Sequence, residues 1–137
     1  MGKSTTPYWN ALAEEHRGSW RAVPGLEGSA EQLTLSLDPA NGEITRLTRF
    51  LPGADTTACG SQCHPYPEEV LILRGSLHDA AFDRWLREGD YTSRPPGEVH
   101  GPFRTEEGCL VLEVSFPARS GGGPQREPGS FEHRAGS

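Results

Sequence analysis

Two stretches of this chain hold side chains whose types and spacing could do chemistry. The first is Gln62-Cys63-His64-Pro65-Tyr66-Pro67-Glu68-Glu69, and the second runs from Gly89 through Arg94-Pro95-Pro96-Gly97 to His100. Even separations put Gln62, His64 and Glu68 on one face of an extended chain. An imidazole and a carboxylate on one face suit a divalent first-row metal, and a second imidazole from a distant strand would complete a facial triad. His100 is the natural candidate, because Pro95-Pro96-Gly97 makes a rigid turn that can aim it. Such a triad leaves three octahedral positions open, enough for a bidentate substrate and dioxygen together. From local spacing alone, a His beside a Glu in a polar stretch is more often a surface pair than a metal site.

Other candidates are weaker. Tyr66, between two prolines, could donate a hydrogen bond to bound substrate or simply pack. His78 could point inward and supply another imidazole, or form a surface pair with Asp79. Cys59 and Cys63 share a face opposite to that of Gln62 and His64, which disfavours a Cys/His zinc site. Cys109, Val111 and Glu113 share a face with one another, and parity does not say whether it points inward.

The elements that must position these residues are short and β-rich. Leu33, Leu35 and Leu37 alternate with Gln32, Thr34 and Ser36, the pattern of a half-buried strand over 31–37. Asp38-Pro39-Ala40-Asn41-Gly42 is a turn, and 44–51 the return strand. Strand-like runs follow at 69–73, 90–93 and 109–116, separated by Gly and Pro. A short helix is expected over 8–16, ended by Gly18. Trp9, Trp20 and Trp85 read as core or lid residues. The chain divides into an N-terminal extension (1–30), a β-barrel (31–118) and a Gly, Pro and Ser-rich tail (119–137), expected to be disordered.

Composition bounds the function. With 137 residues one domain is the default, and 17 Gly with 12 Pro argue against a helix bundle. A net charge of −6 with scattered Lys and Arg speaks against a nucleic-acid partner. No apolar run reaches the ~18 residues of a membrane span, and the N-terminus lacks a signal-peptide stretch. Residues 1–6 fit a myristoylation pattern, but no polybasic second anchor follows, so no membrane partner is expected. Three sparse cysteines without an export signal point to the cytoplasm.

The two stretches resemble the motifs of the cupin superfamily. The second motif is matched by Gly89, Pro95, Gly97 and His100, and the first by His64, Glu68 and Gly75, with 76–88 between them. Within cupins the chain looks most like the ChrR-type anti-sigma-factor cupins and the acetylacetone-cleaving dioxygenases over 47–116, in Glu68-Glu69, Gly75-Ser76-Leu77-His78-Asp79, Arg94-Pro95-Pro96-Gly97 and His100-Gly101-Pro102. Gln62 stands where the first ligand His is expected, Thr56 at the opening Gly and Arg104 at the closing Asn.

The resemblance implies an all-β, single-domain cupin, a double-stranded β-helix or jelly-roll barrel. It implies a divalent metal on His64, Glu68 and His100, with Gln62 as a further ligand or as a group orienting substrate or water. Fe(II) comes first, with Zn, Mn or Ni as alternatives. The expected function is dioxygenase-like oxidation or C–C cleavage of a chelating β-dicarbonyl-type small molecule, with Glu68, Gln62 and Tyr66 as catalytic candidates. The alternatives are a non-oxidative cyclase, isomerase or dehydratase, a Zn-binding sensor, and a barrel that has lost its metal. A homodimer is expected, with the strand over 31–37 as an available edge.

Overall fold

Residues 2–119 are described by a computed structural model, so the tail expected over 119–137 lies outside the described residues beyond Arg119. The strands are β1 (Arg21–Ala22), β2 (Ala30–Leu37), β3 (Ile44–Phe50), β4 (Glu68–Asp79), β5 (Arg84–Arg87), β6 (Tyr91–Arg94), β7 (Phe103–Arg104) and β8 (Cys109–Ser115). All pair antiparallel in the order β1-β2-β3-β8-β4-β5, with β6 and β7 also on β4. The result is an all-β curled sheet with little helix, whose concave side holds the candidate site.

The turn after β2 forms as its chemistry requires. The Asp38 carboxylate accepts the Ala40 amide at 3.0 Å, and Gly42 takes φ 77°, a conformation costly for any side chain. The 69–73 run proves to be part of a longer strand, because Gly75 bends β4 rather than ending it. At φ 79° a Cβ there would stand 2.0 Å from the Gly108 carbonyl oxygen, so only glycine lets β8 approach at that point. The register between β4 and β8 slips between Ile72 and Arg74, and β4 then continues to Asp79.

The expected helix over 8–16 does not form. Its place is taken by a 3-10 turn, Glu14–Ser19, that runs through Gly18. The residues before it form a turn, in which the Asn10 side-chain oxygen accepts the Leu12 amide at 3.0 Å and the Asn10 carbonyl accepts the Ala13 amide at 3.1 Å. The edge of β2 is also less open than expected. It carries β1, and Ser4 bonds Leu37 through its amide at 2.9 Å and its hydroxyl at 3.0 Å.

Two apolar clusters sit on opposite faces of the sheet. On the convex face Leu33 lies opposite Leu47, Leu47 opposite Leu112, and Trp20 packs over them with Leu110. Trp20 is buried and so a core residue, with the Arg49 guanidinium stacked 4.1 Å above its ring. On the concave face Val70, Ile72, Leu77, Cys109 and Val111 pack together. The Cys109, Val111 and Glu113 face therefore points inward.

Candidate metal centre

Register alone brings the first charged group of the site to its partners. Glu68 opens β4 opposite Arg94 of β6 on one side and Ser115 of β8 on the other. Cross-strand neighbours share a face, so both side chains reach the carboxylate. Arg94 Nη1 lies 3.3 Å from Glu68 Oε1, and Ser115 Oγ donates to Oε2 at 2.8 Å. Glu68 is only 2% exposed, so these two partners are what satisfy its buried oxygens.

Backbone bonds between two loops deliver the imidazoles. Gln62 and His100 exchange both amide bonds, at 2.8 and 2.9 Å, and the His64 carbonyl accepts the Gly97 amide at 2.7 Å. The His64 and His100 rings consequently lie 5.0 Å apart, and Tyr66 stacks on His64 at 4.9 Å with an 8° tilt. Asp79, at the far end of β4, holds the same turn: its buried Oδ1 accepts the Gly101 amide at 2.8 Å. His100 Nδ1 sits 3.3 Å from the Glu98 carbonyl, which must accept, so Nδ1 carries the proton and Nε2 offers its lone pair.

One donor atom from each of His64, Glu68 and His100 lies within 4.8 Å of the others. Adjacent ligands on an ion at about 2.1 Å stand roughly 3 Å apart, so small side-chain rotations close the set on a metal. Protonation does not compete at neutral pH for His100, whose pKa is pushed down to about 4 by burial, with Arg94 and His64 adding and Glu68 opposing. The donor chemistry fits a divalent cation. Burial, with the Glu68 charge nearby, pushes the Tyr66 phenol above its ordinary value, so it remains a hydrogen-bond donor.

The three residues line a cavity of about 70 Å³ together with Phe50, Phe103 and Glu113. A larger pocket of about 220 Å³ shares Phe50, Phe103 and Glu113 and adds Gln32, Thr48 and Gln62. Gln62 is thus placed by its backbone against His100, with its amide nitrogen 3.4 Å from the Cys59 carbonyl, on the wall of the larger pocket. His78 is not part of the cluster, nor is it paired with Asp79 on the surface. It is buried, with Nε2 3.2 Å from Asp83 Oδ1 and its ring against Trp85. Cys59 and Cys63 are exposed, and burial pushes the Cys109 thiol up to about 12, which keeps it protonated and inert.

Residues that sequence reasoning left aside complete the site. Asp79, Arg94 and Ser115 hold its ligands, and Glu113 faces both cavities. Burial raises the Glu113 carboxyl above the ordinary carboxylate range, against the pull of Arg46, Thr48 and Arg94 and with Glu68 adding to the rise. The motif departures have structural work: Thr56 bonds the Phe103 backbone through its hydroxyl and its amide, each at 2.8 Å, and Arg104 stacks on Trp85 at 5.4 Å.

The model of the ChrR cupin-like domain family matches residues 10–118. Among solved structures, an RmlC-like cupin from Shewanella frigidimarina is similar with a TM-score of 0.64 and 18% identity, covering 87% of this chain and 96% of that one. The acetylacetone dioxygenase of Acinetobacter johnsonii gives 0.60 and 14%, covering 85% and 77%. The polyketide cyclase RemF of Streptomyces resistomycificus gives 0.55 and 20%, covering 78% and 79%. No curated protein sequence matches the chain. The chain belongs to the ChrR cupin-like family, and at these identities the solved structures establish the fold alone.

Proposed function

We propose that this cupin is a metal-dependent enzyme, with Fe(II) as the metal, that oxidatively cleaves a carbon–carbon bond in a small molecule chelating through two oxygens, of the β-dicarbonyl type. One observation carries the reading. His64, Glu68 and His100 meet at a cavity whose wall is shared with a substrate-sized, largely apolar pocket. A site that only sensed a metal would have no use for that pocket. The fold likeness to an acetylacetone dioxygenase supports the substrate class.

When bound, the metal supplies a Lewis acid for two carbonyl oxygens and, as Fe(II), electrons for dioxygen. The protein's own part is arrangement. Phe50 and Phe103 pack the substrate body and exclude water, Tyr66, which lines neither cavity, fixes the His64 ring by stacking on it, and Gln62 orients substrate from the pocket wall. Arg94 and Ser115 hold the Glu68 carboxyl group aimed into the site, one through each oxygen.

A second reading keeps the site and drops oxygen. Arg94 and Ser115 already draw on both oxygens of Glu68, which lowers its donation to any metal and suits a Lewis-acid role that needs no change of oxidation state. Proton transfer, cyclisation or dehydration of the same substrate class would follow, with Zn, Mn or Ni equally serviceable. Oxygen-electrode measurements on iron-loaded protein with 2,4-pentanedione separate the two. Stoichiometric oxygen uptake with loss of diketone is expected; product formed at an undiminished rate under nitrogen would overturn the oxidative reading.

A further inference from the structure

The two carboxylates of the concave face are not equivalent. Both oxygens of Glu68 are engaged, Oε1 by Arg94 and Oε2 by Ser115. Glu113 is pinned through one oxygen only. Its Oε1 takes the Thr48 hydroxyl and lies 3.5 Å from Arg46 Nε, while no bond is made by Oε2 among the described residues. The direction of the chain is fixed, because Gln32 Nε2 donates to Thr48 Oγ1 at 3.2 Å and so turns the Thr48 proton toward Glu113. Glu113 also lies in the wall common to the ligand cavity and the larger pocket. A substrate bridging the two cavities would lie against this residue.

We infer that Glu113 is the base that removes the proton from the carbon between the two carbonyl groups of the bound substrate. The inference rests on the dicarbonyl reading above. Glu113 Oε2 forms the new O–H bond as the C–H bond breaks, and the C–H electron pair passes into the dicarbonyl system as an enolate. The carboxyl group returns the proton to carbon or releases it to water, so no outside oxidant or reductant enters the step. Enclosure makes this carboxylate a stronger base than a solvated one. Gln32 and Thr48 are positioning residues that act through Glu113.

The test is enolate formation under nitrogen, followed by stopped-flow absorbance on iron-loaded protein mixed with 2,4-pentanedione and corrected for the uncatalysed rate. Glu113→Gln keeps an acceptor for Thr48 and should bind metal and diketone as the wild type does, yet form enolate roughly 100-fold more slowly or worse. Glu113→Asp, which withdraws the carboxylate without removing it, should fall between, and serves as the decisive variant if the glutamine form does not fold. Thr48→Val should lower the enolate rate by a larger factor than it shifts diketone affinity. A wild-type rate in Glu113→Gln or in a folded Glu113→Asp overturns the inference while leaving oxygen uptake by the wild type intact. Absence of enolate in the wild type itself overturns both the inference and the substrate reading beneath it.

Discussion

Strand β8 divides its residues between two environments that are stabilised by different physics. Leu110 and Leu112 face the convex side, where Trp20, Leu33 and Leu47 close an apolar cluster. Cys109 and Val111 face the concave side, but two residues further along the same face come Glu113 and Ser115, and the apolar lining gives way to Glu68, Arg94 and two histidines. The convex cluster depends on contact area. The concave end depends on charge compensation, since each group there is tolerable only because a specific partner faces it. Alternation along one strand thus separates what holds the sheet together from what the sheet is for.

Substitutions that affect one face should leave the other legible. Arg94→Ala removes the cation beside a buried carboxylate and should cost about 3–5 kcal/mol in the metal-free protein. Added metal, as a replacement cation beside Glu68, should recover part of that loss in urea unfolding, whereas equal losses with and without metal would break the link between the ion pair and the metal site. Leu47→Ala deletes convex-face packing and should cost about 2–4 kcal/mol with metal affinity unchanged. A change in affinity beyond a fewfold would mean that the two faces are not independent.

The smallest effect is a pH dependence of the metal-free form. The pKa of His100 is about 4 in the folded chain against an ordinary 6.5, so between those values the unfolded chain binds the extra proton. Stability is therefore complete above about 6.5 and declines as pH falls toward 4, by up to about 3 kcal/mol. Urea midpoints measured across that range should show the decline, and His100→Asn should flatten it. An identical slope in the variant would remove His100 as its source.

What was legible in the sequence was whatever depends on short spacing. Gly89, Pro95, Gly97 and His100 lie within twelve residues, and Pro fixes φ while Gly accepts the positive φ that a turn demands, so the turn that aims His100 could be read directly. The turn at Asp38 was readable for the same reason. What depends on register was not. Arg94 and Ser115 meet Glu68 because β6 and β8 pair with β4 in one alignment, and nothing local in Tyr91-Thr92-Ser93-Arg94 specifies that alignment. Glu113 was hidden because its strand is apolar on both faces, Leu110 and Leu112 on one and Cys109 and Val111 on the other, so alternation did not reveal the inside. Residues 8–16 show the opposite failure, where a helical composition gives way to turns closed by local bonds.

The central claim is that His64, Glu68 and His100 together hold a divalent metal. Metal content of untagged protein, loaded anaerobically with Fe(II), freed of excess ion and measured by elemental analysis, tests it most directly. Stoichiometric metal in the wild type and none above background in folded His100→Ala is the predicted result; equal metal in both, or none in either, would contradict the account.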